Sequence, residues 1–154
     1  MTDLNQKLSE HFTLGELLKS NTADANGFTE QYEPSDEVIG NLKNLCIYVL
    51  EFLRAKVSEA RGVDTPVYLT SGYRCARVNA AVGGVPNSQH QTGEAADTHV
   101  EGMTTEEWYQ FVKNSGITFD QLIQEFDSWA HISHSINNRG ECWRYVRGSA
   151  PKRD

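Results

Sequence analysis

Apolar residues recur at three- and four-residue steps between Ser35 and Gly62, as in an amphipathic helix with one buried face. The positions are Val38, Leu42, Leu45, Cys46, Val49, Leu53 and Val57. Ser35 is typical of an N-cap, and the acidic residues after it suit the positive end of a helix dipole. The pattern therefore predicts a long helix whose apolar stripe lies in the core.

Two capping boxes of the form S/T-x-x-E, Thr13–Glu16 and Thr104–Glu107, predict where two further helices begin. The polar segment from Asn21 to Pro34 predicts a loop, which Phe28 and Tyr32 would anchor to the core. Five segments have the composition of strands: 66–72, 94–100, 119–125, 129–136 and 142–146.

Only three residues separate the third and fourth of these segments, which is the spacing of a hairpin. The fold class predicted is α+β, with helices packed on a small, mainly antiparallel sheet. A chain of 154 residues is long enough for one core and too short for two stable domains. We therefore expect a single domain over residues 1–154, with flexible tails at 1–8 and 148–154.

Charge and hydropathy exclude several classes of protein. The net charge of −7 provides no basic face for phosphates, which excludes a nucleic-acid-binding protein. No apolar run approaches the length of a membrane span, and the first residues lack the apolar core of a secretory signal. We expect synthesis in the cytoplasm and no association with a membrane.

The three cysteines are scattered and form no C-x-x-C pair, so they predict neither a disulfide framework nor a structural zinc finger. Any metal ligands must therefore be histidines and carboxylates. His90 ends a polar loop, and Gly93 with the small residues after it would let Asp97 converge with His90 on one cation.

In the return strand of the hairpin, alternation places His131 and His134 on opposite faces, so a regular strand provides only one of them as a ligand. Two histidines and one carboxylate suit a catalytic zinc ion, and equally the iron of a non-haem oxygenase. The same residues could instead be structural, each hydrogen-bonded to its neighbours. Spacing alone does not choose among these interpretations.

Several motifs occur together in one order: Ser71-Gly72-Tyr73-Arg74, the string S-x-H-x-x-G-x-A-x-D from Ser88 to Asp97, and Trp129-Ala130-His131-Ile132-Ser133. In this combination the chain resembles the zinc peptidases of the D-alanyl-D-alanine carboxypeptidase family. That family includes phage L-alanyl-D-glutamate endolysins and shares its fold with the hedgehog signalling domain. The resemblance extends to the segment from Phe12 to Leu17 and so covers nearly the whole chain.

The resemblance implies that His90, Asp97 and His131 bind one zinc ion per chain, with a fourth position for water. It also implies that Arg74 stabilises the oxyanion of the transition state. Ser88 matches a family serine near the substrate, although it could equally cap a turn.

The general base is less well defined, because Ser128 stands where several family members have an acidic residue three positions before the last histidine. Glu125, at the end of the preceding strand, and Asp127, in the turn, are the candidates. We favour Glu125, which could reach the metal from the neighbouring strand.

The function implied is hydrolysis of an amide bond in a peptidoglycan stem peptide, at either D-Ala-D-Ala or L-Ala-D-Glu. The expected setting is a monomeric phage or prophage endolysin that acts on the bacterial cell wall after release. The alternative is a binding module that has kept the fold and the metal but has lost turnover.

Overall fold

The computed structural model describes residues 2–154. Its α-helices are α1 (Leu14–Leu18), α2 (Asn21–Asn26), α3 (Asp36–Leu45), α4 (Glu51–Arg61), α5 (Ala76–Ala81) and α6 (Thr105–Lys113). Its strands are β1 (Tyr68–Ser71), β2 (Ala95–His99), β3 (Gln121–Glu125), β4 (Trp129–Ser133), β5 (Glu141–Tyr145) and β6 (Lys152–Arg153). Single 3₁₀ turns occur at Thr29–Tyr32 and Gln89–Thr92.

The predicted long helix is confirmed, with one turn of π-helix at Cys46–Leu50 joining α3 to α4. The Ser35 side chain accepts a hydrogen bond from the Val38 amide, as an N-cap does. Gly62 ends the helix in the left-handed conformation, at φ 67°. Each residue of the predicted apolar stripe is buried.

Both capping boxes are present, at the start of α1 and of α6. The segment predicted as a loop differs from the prediction, because it contains α2 and a 3₁₀ turn. The Ser20 side chain caps α2 by accepting from the Ala23 amide. Because the whole segment is polar, its composition does not distinguish this N-cap serine from a loop residue. Phe28 and Tyr32 pack against buried residues, as expected.

The six strands form one sheet in the order β1-β2-β4-β3-β5-β6, in which β3 and β5 pair in parallel and the other neighbours are antiparallel. The fold class is therefore α+β, as predicted. One face of the sheet packs against the helices and contributes Ala96, Ala130, Ile132, Leu122 and Cys142 to the main core. We call the opposite face, which carries Asp97, His131 and Ile123, the outer face.

Both segments for which the sequence predicts flexible tails make tertiary contacts. Of residues 1–8, Met1 lies outside the described residues, whereas Leu8 is buried and the Leu4 carbonyl accepts from the Gly15 amide. At the other end β6 pairs with β5, and the Asp154 carboxylate accepts from the Tyr109 hydroxyl at 2.7 Å. The mobility of these segments stays a prediction. Within residues 2–154 no helix has the length and hydrophobicity that crossing a membrane requires.

Candidate metal centre

Three of the predicted site residues converge at one buried point on the outer face. Asp97 lies in the middle of β2 and His131 in the middle of β4, and the two are direct partners across the antiparallel pair. His90 comes from the 3₁₀ turn that precedes β2. Residues that are 41 positions apart in the sequence are thus brought together by strand pairing and one turn.

Their facing atoms are close enough to bind a single ion. His90 Nε2 lies 3.2 Å from Asp97 Oδ1 and 3.2 Å from His131 Nδ1, and the last two atoms are 3.1 Å apart. Nitrogen and oxygen ligands at about 2.0–2.1 Å from a tetrahedral ion lie roughly 3.3–3.4 Å from one another. The spacing therefore needs only a slight expansion to hold zinc.

The chemistry of the three groups also fits a cation. The Gly72 carbonyl can only accept, so His90 Nδ1 donates to it, at 2.7 Å, and the Nε2 atom of the neutral ring remains an acceptor. Asp97 Oδ1 is a second acceptor facing the same point, and both side chains are only 3% exposed. Buried acceptors in contact require a proton or a cation between them.

The Asp97 carboxylate at this centre is ionised. Burial raises the pKa of Asp97, but its interactions with the His90 and His131 imidazoles outweigh burial, so that this pKa lies well below its ordinary value. A buried, ionised carboxylate beside two imidazoles is a ligand set for zinc.

Arg74 lies beside this centre, just after β1. Its Nη2 donates to Asp97 Oδ2 at 3.2 Å, so the carboxylate uses its two oxygens on different partners. Its Nε donates to the Ser71 hydroxyl at 3.1 Å, and the side chain is only 15% exposed. The guanidinium is thus held in a defined place next to the metal-binding atoms.

A second residue, Asn79 in α5, holds the far side of this guanidinium. Asn79 Oδ1 accepts from Arg74 Nη1 at 3.4 Å, while its amide donates to the Val85 carbonyl at 2.9 Å. Gly84 permits this packing, because a Cβ there would lie 2.1 Å from Asn79 Oδ1.

Ser88 caps the turn that carries His90. Its hydroxyl accepts from the His90 amide at 3.2 Å, which is the contact of a turn cap. This contact corresponds to the structural interpretation of Ser88, and its substrate-binding role stays a prediction.

The two candidate bases occupy different environments. Glu125 ends β3 with its Oε1 3.9 Å from His131 Nδ1. Burial raises the pKa of Glu125, and the charge of Asp97 raises it further. Asp127 is exposed in the β3–β4 turn. Its carboxylate accepts from the Gln124 side-chain amide, and its backbone N–H donates to Gln124 Oε1. Only Glu125 is near the proposed ligands.

The remaining histidines lie elsewhere. His134 follows the end of β4 and stacks on Tyr48, while His99 stacks on Tyr68. His11 binds the Glu51 carboxylate at 2.7 Å through Nδ1.

Gln31 is a residue of the site region that sequence reasoning missed. It is fully buried, and its side-chain amide donates to the carbonyls of Leu18 and Tyr73 at 2.7 and 2.8 Å. Its Oε1 accepts from the Cys75 amide at 2.8 Å. Gln31 therefore anchors the loop that carries Arg74 on both sides, and no local pattern distinguishes this glutamine from its polar neighbours.

Gly72 provides the first testable prediction. A Cβ at this position would lie 2.4 Å from the backbone oxygen of Leu17, so Gly72→Ala must displace the loop whose carbonyl orients His90. We expect a loss of about 1–3 kcal/mol in unfolding free energy and a roughly 10- to 100-fold weaker zinc affinity. Urea unfolding and competitive zinc titration measure the two effects.

Gly40→Ala is the matched control, because a Cβ at Gly40 meets nothing within 4 Å. This helix substitution should stabilise the protein by roughly 0.5–1 kcal/mol and leave zinc affinity unchanged. Wild-type stability and zinc affinity in Gly72→Ala would contradict the role given to the Gly72 carbonyl.

Comparison with known proteins adds one result. The family model described as Peptidase M15 matches residues 10–133, which is most of the chain and includes His90, Asp97 and His131. None of the curated proteins matches this chain.

Proposed function

Because this chain belongs to the peptidase M15 family, we propose that it is a zinc-dependent peptidase that cleaves an amide bond of a peptidoglycan stem peptide. Membership places the protein among the hydrolases. The observation that carries the proposal is the buried His90, Asp97 and His131 cluster, whose ligand atoms all lie within 4.8 Å of one another.

Zinc held by these residues would supply a Lewis acid that polarises the scissile carbonyl and acidifies the attacking water. His90 and His131 contribute neutral nitrogen donors, and Asp97 contributes the negative charge. The Gly72 carbonyl fixes the orientation of the His90 ring.

Glu125 is the general base in this proposal. Its carboxylate accepts a proton from the attacking water and delivers it to the leaving amine, so that one group serves both steps. Support comes from its position 3.9 Å from His131 Nδ1 and from burial, which raises its pKa and makes the carboxylate a stronger base. Asp127 lacks this position.

Arg74 stabilises the oxyanion of the tetrahedral intermediate in the same scheme. Its guanidinium is fixed by Ser71 and Asp97 on the metal-binding side of the sheet. A positive charge that is already in place needs no reorganisation when negative charge develops on the substrate.

The substrate and setting follow the resemblance of the motifs. The bond cleaved would be D-Ala-D-Ala or L-Ala-D-Glu, and the enzyme would act as a monomeric phage or prophage endolysin on the cell wall after release. Support for this assignment is the joint occurrence of the three motifs that carry the resemblance.

Metal analysis with a hydrolysis assay tests the proposal. We expect about one zinc per chain in the untagged protein and release of new amino termini from purified peptidoglycan. A chelator should abolish this release and added zinc should restore it. Mass spectrometry of the products identifies the bond, and a folded His131→Ala variant should lose both metal and activity.

Two results would overturn the proposal. One is a protein that contains no zinc and takes none up when zinc is added. The other is a zinc-loaded protein that binds peptidoglycan without releasing amino termini, which identifies the binding module instead.

A further inference from the structure

The last two strands extend the sheet beyond the region that the family model matches. That match ends at residue 133, whereas β5 and β6 cover residues 141–145 and 152–153. We call β5 and β6 the C-terminal strand pair. Its contribution to the outer face therefore belongs to this chain rather than to the matched part of the family.

Strand register places two aromatic residues of this pair beside the proposed catalytic groups. Ile123 pairs with His131 on one side and with Trp143 on the other, so all three side chains share the outer face. One row along, Glu125 pairs with Tyr145. The Glu125 charge helps burial to raise the pKa of Tyr145, as expected for close neighbours.

The outer face remains accessible along β5. Trp143 and Tyr145 are partly exposed, and neither belongs to the hydrophobic core. Together they form an aromatic surface that continues from the metal-binding residues toward the edge of the sheet.

Arg153 of β6 lies over this surface and forms only a long ion pair, with Glu141. Its guanidinium carbon is 5.6 Å from the centre of the Trp143 ring, and its Nη1 lies 3.8 Å from Glu141 Oε2. Glu141 instead accepts from the Trp143 indole at 3.2 Å. Among residues 2–154, none accepts a hydrogen bond from the Arg153 side chain, so its planar donors are available to a carboxylate.

Arg153 differs from the other arginines of this end of the chain that form close ion pairs. Arg139 pairs with Asp120 and Arg144 with Glu106. The Arg153 side chain is 59% exposed, so its guanidinium is accessible to an anionic substrate at this edge.

We propose that the C-terminal strand pair binds a substrate carboxylate through Arg153, with Trp143 and Tyr145 forming the floor of the subsite. Neighbouring strands lie about 4.8 Å apart, so Trp143, over whose ring the Arg153 guanidinium lies, is about 10 Å from His131. An extended peptide spans that distance in about three residues. The carboxylate recognised therefore lies two to three residues from the scissile amide.

This inference rests on the proposed function and narrows its substrate class to acidic peptides. In a stem peptide cut at D-Ala-D-Ala, the α-carboxylate of D-Glu lies at the required separation from the bond. The same carboxylate would lie adjacent to the bond in a peptide cut at L-Ala-D-Glu.

The test compares two synthetic stem pentapeptides that differ only in whether the D-Glu α-carboxylate is free or converted to a carboxamide. Binding to the zinc-loaded, full-length protein is measured by calorimetry in the Glu125→Gln background, which slows turnover. Arg153→Gln is compared with Lys152→Gln, because these adjacent residues change charge equally but lie on opposite faces of β6.

We expect the protein without a β6 substitution to bind the carboxylate peptide about 10-fold more tightly than the carboxamide. Arg153→Gln should remove this preference, and Lys152→Gln should retain it. Two results would overturn the inference. One is a preference for the carboxylate peptide that survives in Arg153→Gln, and the other is no such preference in the protein that retains Arg153. Cleavage is assayed separately in the zinc-loaded protein that retains Glu125. A carboxylate preference in the binding test, together with no cleavage by that protein, supports the subsite and rejects the peptidase function.

Discussion

Replacing Asp97 by asparagine should remove the metal and, with it, the hydrolytic activity. Asp97 supplies the only negative charge among the three proposed ligands, and its second oxygen holds Arg74 at 3.2 Å. An amide at this buried position neither balances a divalent ion nor accepts equally well from a guanidinium. We expect zinc affinity to fall more than about 100-fold, since changes outside the ligand shell already cost 10- to 100-fold.

Asp120→Asn is the matched control for this substitution. Asp120 is also buried, but its carboxylate binds Arg139 and Gln89. The control should lower the melting temperature, because it weakens the ion pair of a buried carboxylate with Arg139, and should keep one zinc per chain. Elemental analysis measures the zinc content of both folded variants. One zinc per chain in Asp97→Asn would refute the proposed ligand set.

Replacing Glu125 by glutamine should separate metal binding from catalysis. The variant keeps the shape of the side chain and all three proposed ligands but cannot accept a proton. We expect unchanged zinc content and a kcat that is lower by about 10²- to 10⁴-fold, the usual contribution of a general base. Stopped assays on a stem peptide, with metal content measured on the same samples, provide both numbers.

Asp127→Asn tests the competing assignment. Asparagine tolerates the left-handed backbone that Asp127 adopts at φ 55°, so the turn should persist. We expect a kcat close to that of the wild type, because the Asp127 carboxylate binds Gln124 rather than facing the metal-binding residues. The reverse ranking of the two variants would assign the base to Asp127.

Local patterns were sufficient for most elements and for part of the site. The capping boxes, the helical repeat from 35 to 62 and the strand segments rely on interactions within a few residues, which sequence spacing records directly. His90 and Asp97 are separated by seven positions with a glycine between them, so their convergence could be anticipated as possible. The identity of the third ligand relied on the family resemblance.

Local sequence patterns did not predict the contacts between residues that are distant in the chain. The choice between Glu125 and Asp127 depends on where β3 ends, because Glu125 is the last residue of the strand whereas Asp127 already has the left-handed backbone of the turn. The anchoring role of Gln31 depends on the packing of three separate segments around one amide. The polar character of these residues therefore predicts neither the choice of the base nor the anchoring role of Gln31.

The sequence by itself determined the class of fold, the positions of its main helices and strands, and the residue types available for a metal, because periodicity, caps and composition act locally. Only the tertiary structure decided that β5 pairs in parallel with β3 and that Arg153 lies over Trp143. Those contacts join segments that are distant in the chain, and their free energy depends on shape and register that no short window of sequence contains.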